Sequence, residues 1–413
     1  MRIRLFFVYA TIFSTTLLLG CRAQPIKTIS PNPQQSSTSS VITTTHTASF
    51  PEINVKPEPV IVPSKPFDGS LLKPTEWKNI PWQKDNLNEA WPAWLLGCQT
   101  LKYQSAWADV CMKALAMNQP DTQAIQQYFQ AHFNVYQTTN TDGTQTGLIT
   151  GYYEPLLRGS RIKTAQYAVP LYKKPLDLLA IDDPLQPTNK RLRGRLEGGR
   201  MANYYTRAEI EATPSPLASQ ELLWVDDAVE AFFLQVQGSG LVTLDNGEQI
   251  HVGYADQNGQ TYNSIGRLLV QRGELTLEKA SMQSIKEWVA KNSTKSRELF
   301  DANPSYVFFK ELPHGLPGPI GGLGVPILAE RVVAIDPKYI PLGAPIFLST
   351  TEPNSNAPLN RLMMAQDTGG AIKGGVRADF FWGAGDVAGR KAGAMKQMGK
   401  IWLLLPKNFT FTP

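Results

Sequence analysis

The stretch AQDTGGAIKGGVRADFFWGAG, residues 365–385, sets two acids, Asp367 and Asp379, in a glycine-rich run, with Phe380, Phe381 and Trp382 directly behind the second. Glycine lets backbone come close to a ligand because it has no side chain to block the approach. Acids in such a run therefore mark a candidate site. Asp367-Thr368-Gly369 has the form of one half of an aspartic protease. That chemistry shares a proton between two carboxylates, and the chain holds one such loop, so a partner acid would have to come from a second copy. The blander reading is a turn in which Asp367 accepts backbone N–H bonds. Asp379 reads as an acid beside a sugar platform, although Phe380, Phe381 and Trp382 suit ordinary core equally well. Lys373 and Arg377 would bind a carboxylate or lie solvated.

Working outward, RVVAIDPKYIPLGAPIFL (331–348), RLMMAQD (361–367) and KIWLLLP (400–406) read as short strands separated by Gly and Pro turns. This pattern favours a small barrel over a βαβ sheet. No GxGxxG follows a strand and no GxxxxGK[ST] occurs, so no nucleotide fold is announced.

Upstream, AFFLQVQGSGLVTLDNGEQIHVGY (231–254) reads as two extended runs joined by a turn at Asn246-Gly247. Strand period would put Gln235, Gln237 and Ser239 on one side, either as hydrogen-bonding groups for a sugar or as the exposed face of a half-buried strand. Gly147–Tyr153 reads as a strand ending at Glu154-Pro155, with Tyr152 and Glu154 as candidate site residues. Thr206 and Glu209 fit a capping box. Leu277–Val289 reads as a helix with Ala280, Ile285, Trp288 and Val289 in the core, and Tyr306–Phe309 as a strand. Residues 75–135 look helical: Trp91, Trp94, Leu95, Cys98 and Leu101 share one face, with Pro92 in the first turn. Asp121 would cap a further helix carrying Ile125, Tyr128, Phe129 and a structural His132.

The N-terminus reads as a processing signal. Arg2 and Arg4 precede an apolar run, Leu5–Leu19, too short for a good membrane span, which ends at Leu18-Leu19-Gly20-Cys21. A small residue before cysteine resembles the bacterial lipoprotein box, with Cys21 lipidated as the mature first residue. Arg22 rather than Asp after it resembles the outer-membrane sorting pattern. Residues 22–74, rich in Ser, Thr, Pro and Asn, read as a disordered tether. The remaining ~340 residues are long enough for two domains.

The formal charge of +5 is mild and no basic block occurs, so nucleic acid is not expected. After lipidation only Cys98 and Cys111 remain, and export would permit a disulfide between them, with two buried thiols the other reading. Four histidines with no clustered ligands give no metal site.

GYYEP (151–155), QVQGSG (235–240), IPLG (340–343) and the opening stretch, in this order and with the lipobox, closely resemble the membrane-bound lytic murein transglycosylase A family. The C-terminal segment, in which Asp367, Asp379 and Asp386 stand, is similar to the family's three-aspartate domain. The resemblance implies a mainly β fold: a double-psi β-barrel with N-terminal helices from residues 75–156 and 314–413, and an inserted β-rich domain over 157–313. It implies cleavage of peptidoglycan strands between N-acetylmuramic acid and N-acetylglucosamine to 1,6-anhydromuramic ends, without a cofactor. Asp379 falls on the catalytic aspartate and Asp367 on a supporting one. Gln237, Ser239, Tyr152, Glu154, Lys373, Arg377 and Trp382 are then the candidate sugar contacts, and Asp386 is expected to be structural. The implied place is the periplasmic face of the outer membrane, with cell-wall synthesis or division proteins as further partners. Two rivals stand beside this: an inactive carbohydrate-binding lipoprotein, and a hydrolytic muramidase that would need Glu154 as a second acid.

Overall fold

The computed structural model describes residues 67–181 and 192–411. The expected signal peptide, Cys21 and most of the expected tether lie outside the described residues. In chain order the elements are β1 (Leu72–Thr75), α1 (Leu87–Leu101), α2 (Ser105–Ala116), α3 (Thr122–His132), β2 (Phe133–Thr138), β3 (Gly147–Glu154), β4 (Leu156–Ser160), β5 (Val169–Tyr172), β6 (Leu179–Ile181), β7 (Leu192–Glu197) and β8 (Arg200–Asn203). They continue with α4 (Arg207–Ile210), β9 (Glu221–Val225), α5 (Ala228–Gln237), β10 (Ser239–Leu244), β11 (Gln249–Gln257), α6 (Ile265–Gln271), α7 (Met282–Lys291), α8 (Ser296–Asp301) and β12 (Val307–Glu311). The chain closes with β13 (Val332–Ile335), β14 (Pro345–Thr351), β15 (Pro358–Thr368), β16 (Ala378–Ala384), α9 (Gly385–Ala394) and β17 (Lys396–Pro406).

The fold is mainly β. One sheet runs β1-β2-β17-β14-β15-β13-β16-β3, and β17 also pairs with β3. That extra pairing closes β3, β16, β13, β15, β14 and β17 into a six-stranded barrel, so none of these six strands is left as an open edge. Two of its pairings, β13–β15 and β16–β3, are parallel. A second sheet, β12-β11-β10-β4-β9-β5, and a small one, β6-β7-β8, come from the intervening chain.

The barrel interior and the N-terminal helices share one core, which includes Trp94, Phe129, Phe133, Ile335, Met364 and Leu403. The second sheet packs its own core, Leu171, Val225, Val242 and Val252 among it, against Leu234 of α5.

Several local expectations are met by named contacts. The Asp121 carboxylate accepts from the Ala124 N–H at 2.8 Å and so caps α3. Thr206 and Glu209 form a reciprocal capping box at α4. Asn246-Gly247 turns β10 into β11, with Gly247 at φ 86°. Cys98 and Cys111 form a disulfide that staples α1 to α2, with Cα atoms 5.0 Å apart.

Other expectations are corrected. The tether does not reach residue 74: Leu72–Thr75 is an edge strand on β2, where Pro74 is tolerated because edge strands need fewer donors. Phe67 packs edge-on against Phe409 and Phe411, anchoring that end to the C-terminus. Pro92 sits beyond the first turn of α1, which Asn86 precedes. Ala280 is exposed, because α7 begins only at Met282. The largest correction is at 231–237, expected as strand and found within α5. The Asp227 carboxylate accepts from Val229 and Glu230 N–H, and Gly238, at φ 86°, ends the helix in the left-handed conformation that glycine adopts without strain.

Candidate active site

The barrel wall sets the acids in a row. β13 lies between β15 and β16, and Ala334 is in register with Asp367 on one side and with Asp379 on the other. Asp379 is in turn level with Thr150 of β3. The order across four strands is therefore Asp367, Ala334, Asp379, Thr150. Strand spacing of ~4.8 Å puts the two aspartate backbones roughly 10 Å apart.

Asp379 is held by one strong hydrogen bond, from Thr150 Oγ1 to Oδ1 at 2.5 Å. The Arg377 guanidinium donates to the same hydroxyl at 2.9 Å. Since Arg can only donate, the Thr150 proton is directed at Asp379. Burial pushes the Asp379 carboxyl above the usual carboxylate range; Thr150 and Arg377 pull it down and the Asp367 charge pushes it up.

Asp367 is better supplied with donors. Its Oδ1 accepts from the N–H groups of Gly322 at 2.9 Å and Thr368 at 2.8 Å, and its Oδ2 from the Tyr152 hydroxyl at 2.8 Å. Burial raises its carboxyl, and these three donors oppose the rise. The carboxylate with three donors is better stabilised in its charged form than its neighbour with one, and its charge adds to the upward push on the Asp379 carboxyl. The loop that brings Gly322 in needs glycine: a Cβ on the adjoining Gly321 would lie 2.7 Å from the Gln366 carbonyl oxygen.

The remaining candidates divide. Tyr152 joins the site through Asp367, and its ring lies 5.1 Å from that of Phe381. Arg377 joins it through Thr150. Lys373 is exposed, 3.9 Å from Asp336 and not at the acids. Trp382 is corrected from sugar platform to core: it is 4% exposed, packs on Phe380 and donates to Met395 Sδ.

Gln235, Gln237 and Ser239 do not form one strand face, because the first two belong to α5. The Gln235 side-chain oxygen accepts from Arg207, and that of Gln237 from the Tyr153 N–H at 3.1 Å, tying α5 to β3. Ser239 opens β10 and is half-buried. Glu154 is 2% exposed, which corrects its expected roles as sugar contact and as a second, water-activating acid. Asp386 lies exposed in the first turn of α9.

Sequence reasoning missed Thr150 and Asp336. The signal for Thr150 was present: two residues before Tyr152 in a strand, it shares that residue's face. Asp336, 6% exposed, accepts from the Gly374 N–H at 3.0 Å and so fixes the glycine-rich loop between the two acids. Among the described residues no cluster of His, Cys, Asp and Glu could hold a metal ion.

Fold and site together define the class: a closed-barrel protein with an inserted β-rich unit and two aspartates aligned on the barrel wall, both with carboxyls pushed up by burial. Comparison with known proteins makes the class specific. A family model described as the MltA specific insert domain matches residues 148–310, and one described as the 3D domain matches 331–405. The membrane-bound lytic murein transglycosylase A of Escherichia coli is 32% identical over 292 residues, covering 69% of this chain and 72% of the relative. The crystal structure of MltA from Neisseria gonorrhoeae superposes with a TM-score of 0.74 at 36% identity, covering 84% of this chain and 97% of that one. E. coli MltA with bound chitohexaose gives 0.62 at 25% identity, covering 83% and 95%. The chain belongs to the membrane-bound lytic murein transglycosylase A family.

Proposed function

We propose that this protein, by its family a peptidoglycan lytic transglycosylase and not a hydrolase, cuts the β-1,4 bond between N-acetylmuramic acid and N-acetylglucosamine with Asp379 as its one acid and base. The observation that carries the reading is the unequal pair: Asp379, half-buried with a single donor, lies across Ala334 from Asp367, which has three. Asp379 gives its proton to the glycosidic oxygen as the C1–O bond breaks, leaving an oxocarbenium-like muramic sugar. The resulting carboxylate takes the proton of the C6 hydroxyl, and O6 closes on C1. Asp379 ends protonated, the C6 proton replacing the one it gave away. The nucleophile is tethered in the same sugar, so no second carboxylate has to hold a water.

Asp367, Thr150 and Tyr152 set the charge and aim of the acid, and Arg377 orients Thr150. A glycan as the ligand is supported by the E. coli relative, whose structure holds chitohexaose. In this reading residues 75–156 and 314–413 make the barrel domain with its N-terminal helices, and 157–313 forms the other wall. Cys21 carries the lipid that holds the protein at the outer membrane; the disulfide fits an exported, oxidised compartment.

The test uses purified murein sacculi and mass spectrometry of released muropeptides. The expected products are one water lighter than hydrolysed ends, and Asp379→Asn releases none. Reducing muramic ends, or normal turnover by Asp379→Asn, would overturn the proposal.

A further inference from the structure

The inserted sheet leaves the barrel through Glu154-Pro155 and returns through Leu312-Pro313, and the two crossings are tied side by side. Leu241 of β10 and His251 of β11 are paired in register. The Leu241 N–H donates to the Pro155 carbonyl at 2.9 Å, and the Leu312 N–H to the His251 carbonyl at 2.8 Å. His251 is flanked in its strand by Ile250 and Val252, both buried in the core of the inserted sheet. Alternation therefore sends the imidazole to the opposite face, toward the junction. There it meets Glu154, with Nδ1 and Oε1 3.8 Å apart.

Both atoms are buried, and neither has a hydrogen-bond partner among the described residues. Buried polar atoms without partners are rare in native structures, and each asks for a reason. Alternation along β3 also puts Glu154 on the same side of that strand as Thr150 and Tyr152, which hold Asp379 and Asp367.

We propose that Glu154 and His251 share one proton across the junction and act as a positioning pair, setting the angle of the inserted sheet against the barrel wall that carries the acids. An approach of roughly 1 Å turns the 3.8 Å contact into a hydrogen bond. Other charged groups near the junction are turned elsewhere. Glu311 of β12 is held in a bidentate pair by Arg161, which also faces Glu248, and His314 lies 4.0 Å from Glu248. On the far side Asp386 is exposed on α9, and β10 carries no titratable side chain.

Glu154 thus feels burial alone, which pushes its carboxyl up to about 7, while burial pushes the His251 imidazole down. Below that pH the pair keeps its proton and stays neutral. Above it a buried carboxylate stands beside a neutral ring, and the junction loosens.

The consequence for glycan binding rests on the transglycosylase reading, but the shared proton is read without substrate. Imidazole NMR of the whole protein is tractable because the chain has four histidines. The His251 resonances are expected to move with a midpoint near pH 7 in the native protein and to lose that step in Glu154→Gln, which keeps the shape of the side chain. On soluble glycan strands, KM is expected to rise about fivefold between pH 6 and pH 8 in the native protein. In Glu154→Gln it stays flat, while the kcat profile set by Asp379 is the same in both. His251→Gln, which keeps a hydrogen-bonding group at that place, retains the low-pH KM. A His251 titration indifferent to Glu154→Gln would overturn the proposal, as would a KM profile that this variant leaves unchanged. Absence of any turnover with an intact NMR step would overturn the transglycosylase reading instead.

Discussion

Thr150 stands between a cation and an acid, and this decides what its hydroxyl does. Arg377 occupies its lone pair at 2.9 Å, so its proton serves Asp379 at 2.5 Å. Hydrogen bonds to a charged group are worth about 1.5–3 kcal/mol. Thr150→Val keeps the shape and removes the bond. Turnover on the low-pH plateau is expected to fall roughly 10–100-fold. The alkaline limb of the pH–rate profile moves to higher pH, because the lost bond was one of the contacts pulling the Asp379 carboxyl down. Thr150→Ser restores both. Glu154 makes a separate prediction about stability. Its folded carboxyl, raised to about 7 from an ordinary 4.5, costs nothing below pH 4.5, costs progressively more up to pH 7, and reaches a constant penalty of about 3 kcal/mol above. Glu154→Gln is therefore expected to be more stable than the native protein at pH 8 and to lose that advantage by pH 4. Urea unfolding at the two pH values checks this.

At the scale of elements, the disulfide between α1 and α2 joins cysteines 13 apart that are both fully buried. Closing a loop of that size in the unfolded chain contributes about 3 kcal/mol. Cys98→Ala/Cys111→Ala is expected to lower Tm by roughly 5–10 °C while leaving turnover near normal, since neither residue touches the acids. Calorimetry and a muropeptide assay decide it. The helices that this bridge joins were legible because their apolar faces recur at helical spacing. α5 was not, for the opposite reason: Ala231–Gln235 is buried throughout, and a continuous apolar run fits strand or helix alike. The deciding marks lay at its ends, in Asp227 before it, Glu230 in its first turn and Gly238 after it. Asp367 and Asp379 stood out as candidates by their glycine-rich setting, and Tyr152 by its place in the GYYEP motif that carries the family resemblance. The burial of Trp382 and Glu154 was not, because Trp382 lies against Gly151 of β3 and Glu154 meets His251 of β11, both distant in sequence.

For the whole molecule, the question is what fixes the barrel wall on which the acids are aligned. Arg331 directly precedes β13, the strand between the two aspartates. Its guanidinium donates to both oxygens of Asp85 at 2.9 Å and to Glu89 at 2.5 Å, and the Asp85–Arg331 pair is almost wholly buried, with side chains 2% and 3% exposed. Asp85 also accepts from the Leu362 N–H of β15 at 2.7 Å. The N-terminal helices are thus clamped to both β13 and β15, and the Ala334 row is held from outside the barrel. Removing one partner strands a buried charge, which costs about 3–5 kcal/mol, whereas replacing both by apolar groups of similar volume restores much of the loss. Asp85→Leu and Arg331→Met are each expected to be destabilised by that amount, and the double variant by clearly less than their sum. If the clamp also aligns the acids, the double variant recovers stability without recovering turnover, because the Leu362 N–H and the lead-in to β13 have lost their holder. A double-mutant cycle by chemical denaturation, with muropeptide release measured on the same four proteins, separates the two roles. Additive losses of stability would show that the clamp does not couple the helices to the wall, and full turnover in the stabilised double variant that it does not tune the site.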